Sequence, residues 1–114
     1  MKEKILLTGA AGYIGSVLTK KLLENGFRVI ALDNFFYNQS SLLDCMVYEN
    51  LEIIKGDIRD FKLINNLIKK VDIIIPLAAL VGAPICNKYP KLSYEVNHKS
   101  SINIFENKSS NQRI

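Results

Sequence analysis

Near the start of the chain, a glycine-spaced junction constrains the fold more than any other feature. The segment TGAAGYIG, residues 8–15, follows a short apolar run at 4–7 and opens a stretch with helical spacing at 13–25. An apolar run that stops at a glycine is typical of a buried strand. Glycines between a strand and a helix predict a tight strand–turn–helix unit.

Apolar runs and helically spaced segments alternate along the whole chain. The predicted strands are 4–7, 27–32, 51–54 and 71–79, and the predicted helices are 13–25, 41–48, 60–70 and 90–107, with a loop at 34–40. Strands that alternate with helices favour a parallel sheet with right-handed crossovers. We therefore predict an α/β fold, a Rossmann-type doubly wound parallel sheet with strand order 3-2-1-4.

Each glycine of the junction has a distinct predicted role. Gly9 permits the tight turn off the first strand, and Gly15 allows the helix to pack closely on the sheet. Gly12 removes a side chain where a pyrophosphate would approach backbone N–H groups at the positive end of the helix. The glycines predict a phosphate-binding turn, although a purely structural turn fits the same spacing.

Asp33 adds a second indication of a dinucleotide site. It follows the second predicted strand, 18 residues after Gly15, close to the separation of about 20 residues expected for a carboxylate that binds the adenosine ribose. A carboxylate accepts hydrogen bonds from a diol and repels a 2′-phosphate, so the predicted cofactor is NAD rather than NADP. The alternative interpretation is a solvated strand end without a ligand.

These residues together resemble the extended short-chain dehydrogenase/reductases, and within them the NAD-dependent epimerase/dehydratase group typified by UDP-glucose 4-epimerase. The glycine spacing is the most specific part of the resemblance, which extends over essentially the whole chain. The segments after the second, third and fourth strands, and an asparagine in the last helix, are similar to that family's cofactor contacts. The resemblance implies that NAD is bound by Gly9, Gly12, Tyr13, Ile14, Gly15, Asp33, Asn34, Asp57, Ile58, Leu77, Ala78, Ala79 and Asn97.

Some of these positions also have a purely structural interpretation. Asp57 fits a turn cap, and Asn97 fits the solvent-exposed face of a helix. Pro76 departs from the family's pattern, because proline is unusual inside a central strand.

The family's acid–base pair, Tyr-x-x-x-Lys, is absent from this sequence. In that pair the lysine lowers the pKa of the tyrosine, whose phenolate takes a substrate proton while a hydride moves to nicotinamide. The residues four positions after the five tyrosines are Val17, Ser41, Glu52, Ser93 and His98. We therefore predict no catalytic residue in 1–114, which would be an incomplete NAD(P)-binding domain without a substrate domain. Residues 111–114 look like the entry to a fifth strand, and we expect the domain to be truncated before that strand.

Composition argues against several other classes of protein. The 15 basic and 11 acidic residues give a net charge of +4, but the lysines are scattered, which argues against nucleic-acid binding. The longest apolar stretch, 73–83, is far shorter than the roughly 20 residues of a membrane helix, and no secretory signal is predicted. The separated Cys45 and Cys86 and the single His98 form no metal-ligand set. We expect a cytoplasmic protein whose full-length relatives are homodimers.

Two functional hypotheses of different classes follow. The first is the NAD-binding part of a nucleotide-sugar epimerase or dehydratase, which acts by transient hydride transfer at a sugar carbon. The second is a non-catalytic NAD(H)-sensing regulatory module, which explains the missing tyrosine–lysine pair without truncation; an inert remnant that binds nothing is a third possibility. Micromolar NAD binding by a soluble, folded monomer would favour the sensor. Aggregation until a C-terminal half is supplied would favour the enzyme.

Overall fold

The computed structural model describes residues 2–35, 40–79 and 83–114. Its strands are β1 (Lys4–Thr8), β2 (Arg28–Asp33), β3 (Leu51–Lys55) and β4 (Ile73–Pro76). Its helices are α1 (Tyr13–Glu24), α2 (Phe61–Ile68), α3 (Ala83–Lys88), α4 (Pro90–Tyr94) and α5 (Ser100–Asn107), with a 3₁₀ turn at Leu43–Cys45 and a π-helical segment at Glu95–Lys99. Across these ranges, no helix has the length and apolarity that a bilayer crossing requires.

The strands form one parallel sheet in the order β3-β2-β1-β4, which confirms the predicted Rossmann-type doubly wound arrangement. Ile5 in β1 pairs with Val29 on one side and with Ile73 on the other. The chain first adds strands on one side of β1 and then crosses to its other side. The carboxyl end of β1 is therefore the switch point at which such sheets bind ligands.

Helices cover both faces of the sheet, which explains why its central strands are apolar on both sides. Neighbouring residues of one strand face different cores, as Leu6 and Leu7 do in β1. One core, completed by α2 and α5, includes Leu6, Ile30, Ile64, Ile68, Ile74 and Ile104. The other core, completed by α1 and the 3₁₀ turn, includes Leu7, Leu23, Val29, Ala31, Leu42 and Cys45.

The observed elements differ from the predicted ones at several places. No sequence pattern indicated α3, and the helix predicted at 41–48 is only the 3₁₀ turn Leu43–Cys45. β4 ends at Pro76, whereas a strand through residue 79 was predicted. Leu77 and Ala78 lie beyond the end of β4 and pack against the two cores, and an apolar sequence does not distinguish a strand residue from a packed residue after the strand. Residues 36–39, in the predicted loop, lie outside the described residues.

Pro76 is compatible with β4 because its missing N–H faces the outer edge of the strand. The Leu77 N–H donates to the Thr8 carbonyl on the β1 side, at 3.1 Å, and the Ile74 N–H donates to the Arg113 carbonyl on the other side, at 2.8 Å. Position 76 lies two residues from Ile74 and therefore faces the same outer edge, where proline removes no bond to β1. The predicted entry to a fifth strand is a single parallel bridge between Ile73 and Arg113.

The helix predicted at 90–107 is observed with a π-helical interior. Its predicted stripe is buried or partly buried and consists of Leu92, Val96, Ser100 and Ile104. A spacing of four exceeds the 3.6 residues of an α-helical turn, so in a regular helix the stripe would rotate by about 40° per turn. The wider turn of the π-helical segment compensates for this rotation, and Val96 and Ile104 reach the same core.

Candidate functional site

A cleft opens at the carboxyl edge of the sheet, at the switch point beside β1. It has an empty volume of about 710 Å³, part of which is open to solvent. Its cavity volume is only about 130 Å³, below the roughly 300–1,000 Å³ of small-molecule and cofactor sites. The residues that line it are Thr8, Gly9, Gly12, Leu32, Asp33, Asn34, Gly56, Ile58, Leu77, Ala78, Ala79, Leu92 and Val96.

Gly9 lets the turn after β1 pass directly against the segment after β4. Its φ of +69° is in the left-handed region, and a Cβ placed there would lie 2.7 Å from the Ala78 nitrogen. The Ala78 N–H also donates to the buried Thr8 hydroxyl, at 3.3 Å. Only glycine satisfies both the backbone conformation and the close approach, which agrees with the predicted tight turn.

Gly15 serves a different contact from the one the sequence suggested. A Cβ at this position would overlap the carbonyl oxygen of Gly9 and lie 2.9 Å from the Ala10 Cα. The close approach is therefore between α1 and the glycine turn itself, rather than between α1 and the sheet. Gly15 thereby holds the first turn of α1 against the floor of the phosphate-binding turn.

The start of α1 presents backbone donors that have no acceptor in the described part of the chain. Gly12 is the N-cap residue and supplies no side-chain hydrogen bond, and the N–H groups of Tyr13, Ile14 and Gly15 donate to none of the described residues. The side chains of Tyr13 and Ile14 are 92% and 64% exposed. The backbone N–H groups and the positive helix end are thus what this turn offers an anion.

Asp33 lies in the same cleft and already orders the turns around it. Its carboxylate is buried and accepts the Ala11 N–H at 2.9 Å and the Phe35 N–H at 2.7 Å. A carboxylate has about four lone-pair sites, so these two bonds leave capacity for the hydroxyls of a ribose. The arrangement fits the diol-binding role predicted from the sequence.

Ser41 is a supporting residue that no sequence signal identified. Its hydroxyl donates to the Ala11 carbonyl at 2.6 Å, while the N–H of Ala11 donates to Asp33. The peptide groups of Ala11 are therefore held on both sides, directly before Gly12. This contact joins residues 30 positions apart, so no local sequence spacing indicates it.

The segment after β3 places Ile58 in the cleft but turns Asp57 toward Arg59. Ile58 is 7% exposed and lines the cleft. The Asp57 carboxylate accepts the Arg59 N–H at 2.8 Å and binds the guanidinium, with an Nη2–Oδ2 distance of 2.6 Å. These hydrogen bonds from Arg59 lower the pKa of Asp57. The turn-capping interpretation describes this geometry, and cofactor contact by Asp57 stays a prediction.

Asn97 is exposed and does not line the cleft. Its side-chain amide donates to the Ser93 hydroxyl at 3.3 Å. Its neighbour Val96, 8% exposed, and Leu92 form the wall of the cleft on this helix. The helical stripe already marked both residues as inward-facing, although no sequence pattern connected that face with the cofactor. Cofactor contact by Asn97 stays a prediction.

The residues present fit a dinucleotide at three places. An open helix N-terminus lies beside Gly12, where there is no side chain to obstruct a pyrophosphate. Asp33 offers a carboxylate for a ribose, and Ile58 offers an apolar surface for a base. Of the other predicted residues, Asn34, Leu77, Ala78 and Ala79 also line this cleft.

Comparison with known proteins agrees with this geometry. The model of the NAD dependent epimerase/dehydratase family matches residues 5–112. The chain belongs to the NAD-dependent epimerase/dehydratase family. The resemblance found in the sequence is thereby confirmed, and the family's own description names the predicted cofactor, NAD.

Similar proteins include enzymes that act on nucleotide sugars. The chain is 31% identical over 93% of its length to UDP-N-acetyl-alpha-D-glucosaminuronate decarboxylase of Bacillus cytotoxicus, and 34% identical over 90% to a putative UDP-glucose 4-epimerase of Methanocaldococcus jannaschii. It superposes with a TM-score of 0.81, at 28% identity over 90% of its length, on UDP-glucuronic acid 4-epimerase from Bacillus cereus in complex with UDP-glucuronic acid and NAD. The chain spans about a third of each of these proteins, 33%, 32% and 35%.

Proposed function

We propose that this chain is the NAD-binding part of an epimerase or dehydratase that modifies nucleotide sugars. One observation carries the proposal: the open N-terminus of α1 and the carboxylate of Asp33 meet in a single cleft and are joined through the backbone of Ala11. Such a site complements the phosphate and the ribose of one dinucleotide at the same time. The nucleotide-sugar substrate is inferred from the names of the similar proteins.

Different described residues would bind different parts of NAD. The N–H groups of Tyr13, Ile14 and Gly15 would hold the pyrophosphate above Gly12, and Asp33 would accept hydrogen bonds from the adenosine ribose. Ile58 would pack against adenine, and the segment Leu77–Ala79 would pass beneath the cofactor. Bound NAD supplies an acceptor and donor of hydride at the sugar carbon.

Binding without turnover is the expected behaviour of the chain itself. The sequence contains no Tyr-x-x-x-Lys pair to move the proton that accompanies hydride transfer. We therefore expect the 114-residue chain to bind NAD weakly and not to epimerise a nucleotide sugar. We also propose a cytoplasmic location and, for a full-length parent, a homodimer.

Calorimetric titration of the purified chain with NAD and NADP tests the proposal. We expect NAD to bind and NADP to bind at least about tenfold more weakly, because its 2′-phosphate would lie close to the Asp33 carboxylate. Gly12→Val should abolish binding, since its side chain would project toward the pyrophosphate. Gly26→Ala is the matched glycine control, because Gly26 lies at the far end of α1 and an added Cβ there meets no atom within 4 Å.

Three outcomes would count against this proposal. A wild-type chain that is folded but binds no NAD, with Gly12→Val unchanged from it, would indicate an inert remnant. Hydride transfer or epimerisation by the chain alone would refute the absence of turnover. Micromolar NAD binding by a soluble monomer would instead favour the sensing module.

A further inference from the structure

Arg59 connects two separate walls of the cleft without lining it. It follows Ile58, which lines the cleft from the loop between β3 and α2. Its guanidinium contacts Glu95, which precedes Val96, a lining residue from the π-helical segment. Leu92 borders both the cleft and a second depression beside it that contains Arg59 and Glu95. The ion pair thus lies directly behind the residues that shape this part of the cleft.

The geometry of the guanidinium lets one side chain hold both carboxylates. Nε and Nη2 donate to Asp57, at 2.9 and 2.6 Å, while Nη1 donates to Glu95 at 3.3 Å. The two carboxylates lie 38 positions apart in the sequence, so no local structure fixes their separation. Arginine suits this connection because its donors are held in a rigid planar fork, which a single ammonium group does not provide.

Arg59 also balances the negative charges of the two carboxylates that it joins. Within the described residues, Arg59 forms ion pairs with Asp57 and Glu95. These two acidic side chains are only 32% and 25% exposed. Loss of the guanidinium would leave two carboxylates facing each other across the junction between the loop and the helix. Their repulsion would favour separation of the two walls.

We propose that Arg59 is a positioning residue for cofactor binding, which fixes the separation between the loop at 56–60 and the π-helical segment. In this role it sets the shape of the cleft between Ile58 and Val96, where adenine would lie, and it does not itself contact the cofactor. The inference rests on the proposed function for the identity of the ligand. The geometric part of the inference, that Arg59 fixes the separation of the two walls, does not depend on any ligand.

Affinities measured separately for AMP and nicotinamide mononucleotide, the two halves of NAD, distinguish this role from a general effect on folding. We expect Arg59→Gln to weaken AMP binding by about fivefold, the order that a partly exposed ion pair contributes, and to leave the affinity for nicotinamide mononucleotide unchanged. Glu95→Gln should give part of this loss, and Arg59→Lys should not restore full affinity. Isothermal titration gives the affinities, and thermal melting by circular dichroism confirms that each variant is folded.

Arg113→Gln is the matched control. Its side chain forms an exposed ion pair with Glu3 near the starts of β1 and β4, at the opposite edge of the sheet. We expect this variant to bind AMP like the wild type. Equal weakening of both half-ligands by Arg59→Gln, or no weakening of AMP, would overturn the proposal.

Amide hydrogen exchange decides the geometric part without a ligand. Arg59→Gln should accelerate exchange in both the loop at 56–60 and the segment at 94–97, and Arg113→Gln should accelerate neither. Unchanged exchange in either segment would overturn the positioning role, whatever the result of the titrations. A wild-type chain that binds neither NAD nor AMP would refute the proposed function, while the exchange measurement would still decide whether Arg59 joins the two walls.

Discussion

Individual glycines of this chain differ in how much an added methyl group would lower the stability of the fold. Gly9 and Gly26 both have positive φ, +69° and +87°, but only at Gly9 would an added Cβ meet neighbouring backbone, at 2.7 Å from atoms of Leu77 and Ala78. A left-handed alanine alone costs roughly 1–2 kcal/mol, and an overpacked contact adds about 1–3 kcal/mol. Comparison of the two positions therefore separates the free-energy cost of backbone strain from that of an overpacked contact.

We predict that Gly26→Ala lowers the free energy of unfolding by about 1 kcal/mol and that Gly9→Ala lowers it by about 3 kcal/mol or more. Urea denaturation of the two variants and the wild type measures both values. Gly26→Ala is the control for strain, because its added Cβ meets open space. Equal losses at both positions would show that the contact between the two cleft turns contributes nothing.

Asp57 makes stability depend on pH in a defined direction. Its hydrogen bonds from Arg59 lower its pKa from the ordinary value of 3.8, so the folded state favours the ionised carboxylate. That stabilisation is complete above the ordinary pKa and is lost as the pH falls through the lowered value. We predict that the free energy of unfolding falls more steeply below pH 3.8 in the wild type than in Asp57→Asn. Chemical denaturation over a pH series tests this, and parallel curves would contradict it.

Among the elements, α1 carries the proposed phosphate site through its backbone. Gly12 has φ −74° and ψ 179°, the extended conformation that a residue before proline prefers. Proline is also favoured at the first position of a helix, where its missing N–H costs no helical bond. Tyr13→Pro is therefore expected to remove one donor from the site and to keep α1 folded.

We predict that Tyr13→Pro weakens NAD binding by about tenfold or more, the order of a hydrogen bond to a charged group. Tyr13→Ala is the control, because it keeps the Tyr13 N–H and removes only an exposed side chain, and it should leave NAD affinity unaltered. Titration gives the affinities and far-ultraviolet circular dichroism the helix content. Wild-type affinity in Tyr13→Pro would show that the Tyr13 N–H does not bind the cofactor.

Across the whole molecule, the cleft is built from segments that only the folded sheet brings together. Its walls come from the turn after β1, the ends of β2 and β3, the segment after β4 and the last helical region. A ligand that binds this arrangement and not the unfolded chain must stabilise the fold as a whole. The size of this stabilisation depends on the concentration of the ligand relative to its Kd.

We predict that NAD at 100 times its Kd raises the free energy of unfolding by about 2.7 kcal/mol. Melting curves at increasing NAD should shift to higher temperature, and those of Gly12→Val should not. A wild-type chain whose Tm does not change at saturating NAD would contradict binding to the folded state.

The sequence by itself determined the strand order, the glycine turn and the position of Asp33, because these depend on local patterns. Apolar runs identify buried strands, glycines mark turns, and the alternation of strands and helices restricts the topology. The face formed by Leu92 and Val96 was also evident from their spacing, but its connection with the cleft was not.

Only the tertiary structure decided how these pieces meet. Three contacts join residues distant in sequence or depend on atomic separations. The Ser41 hydroxyl donates to the Ala11 carbonyl, and Arg59 contacts Glu95. Gly15 fits closely against Gly9. Pro76 was likewise unexplained until the hydrogen bonds of Ile74 and Leu77 showed which edge it faces. Sequence periodicity records which face of an element is apolar, whereas the partner of a polar group depends on the path of the whole chain.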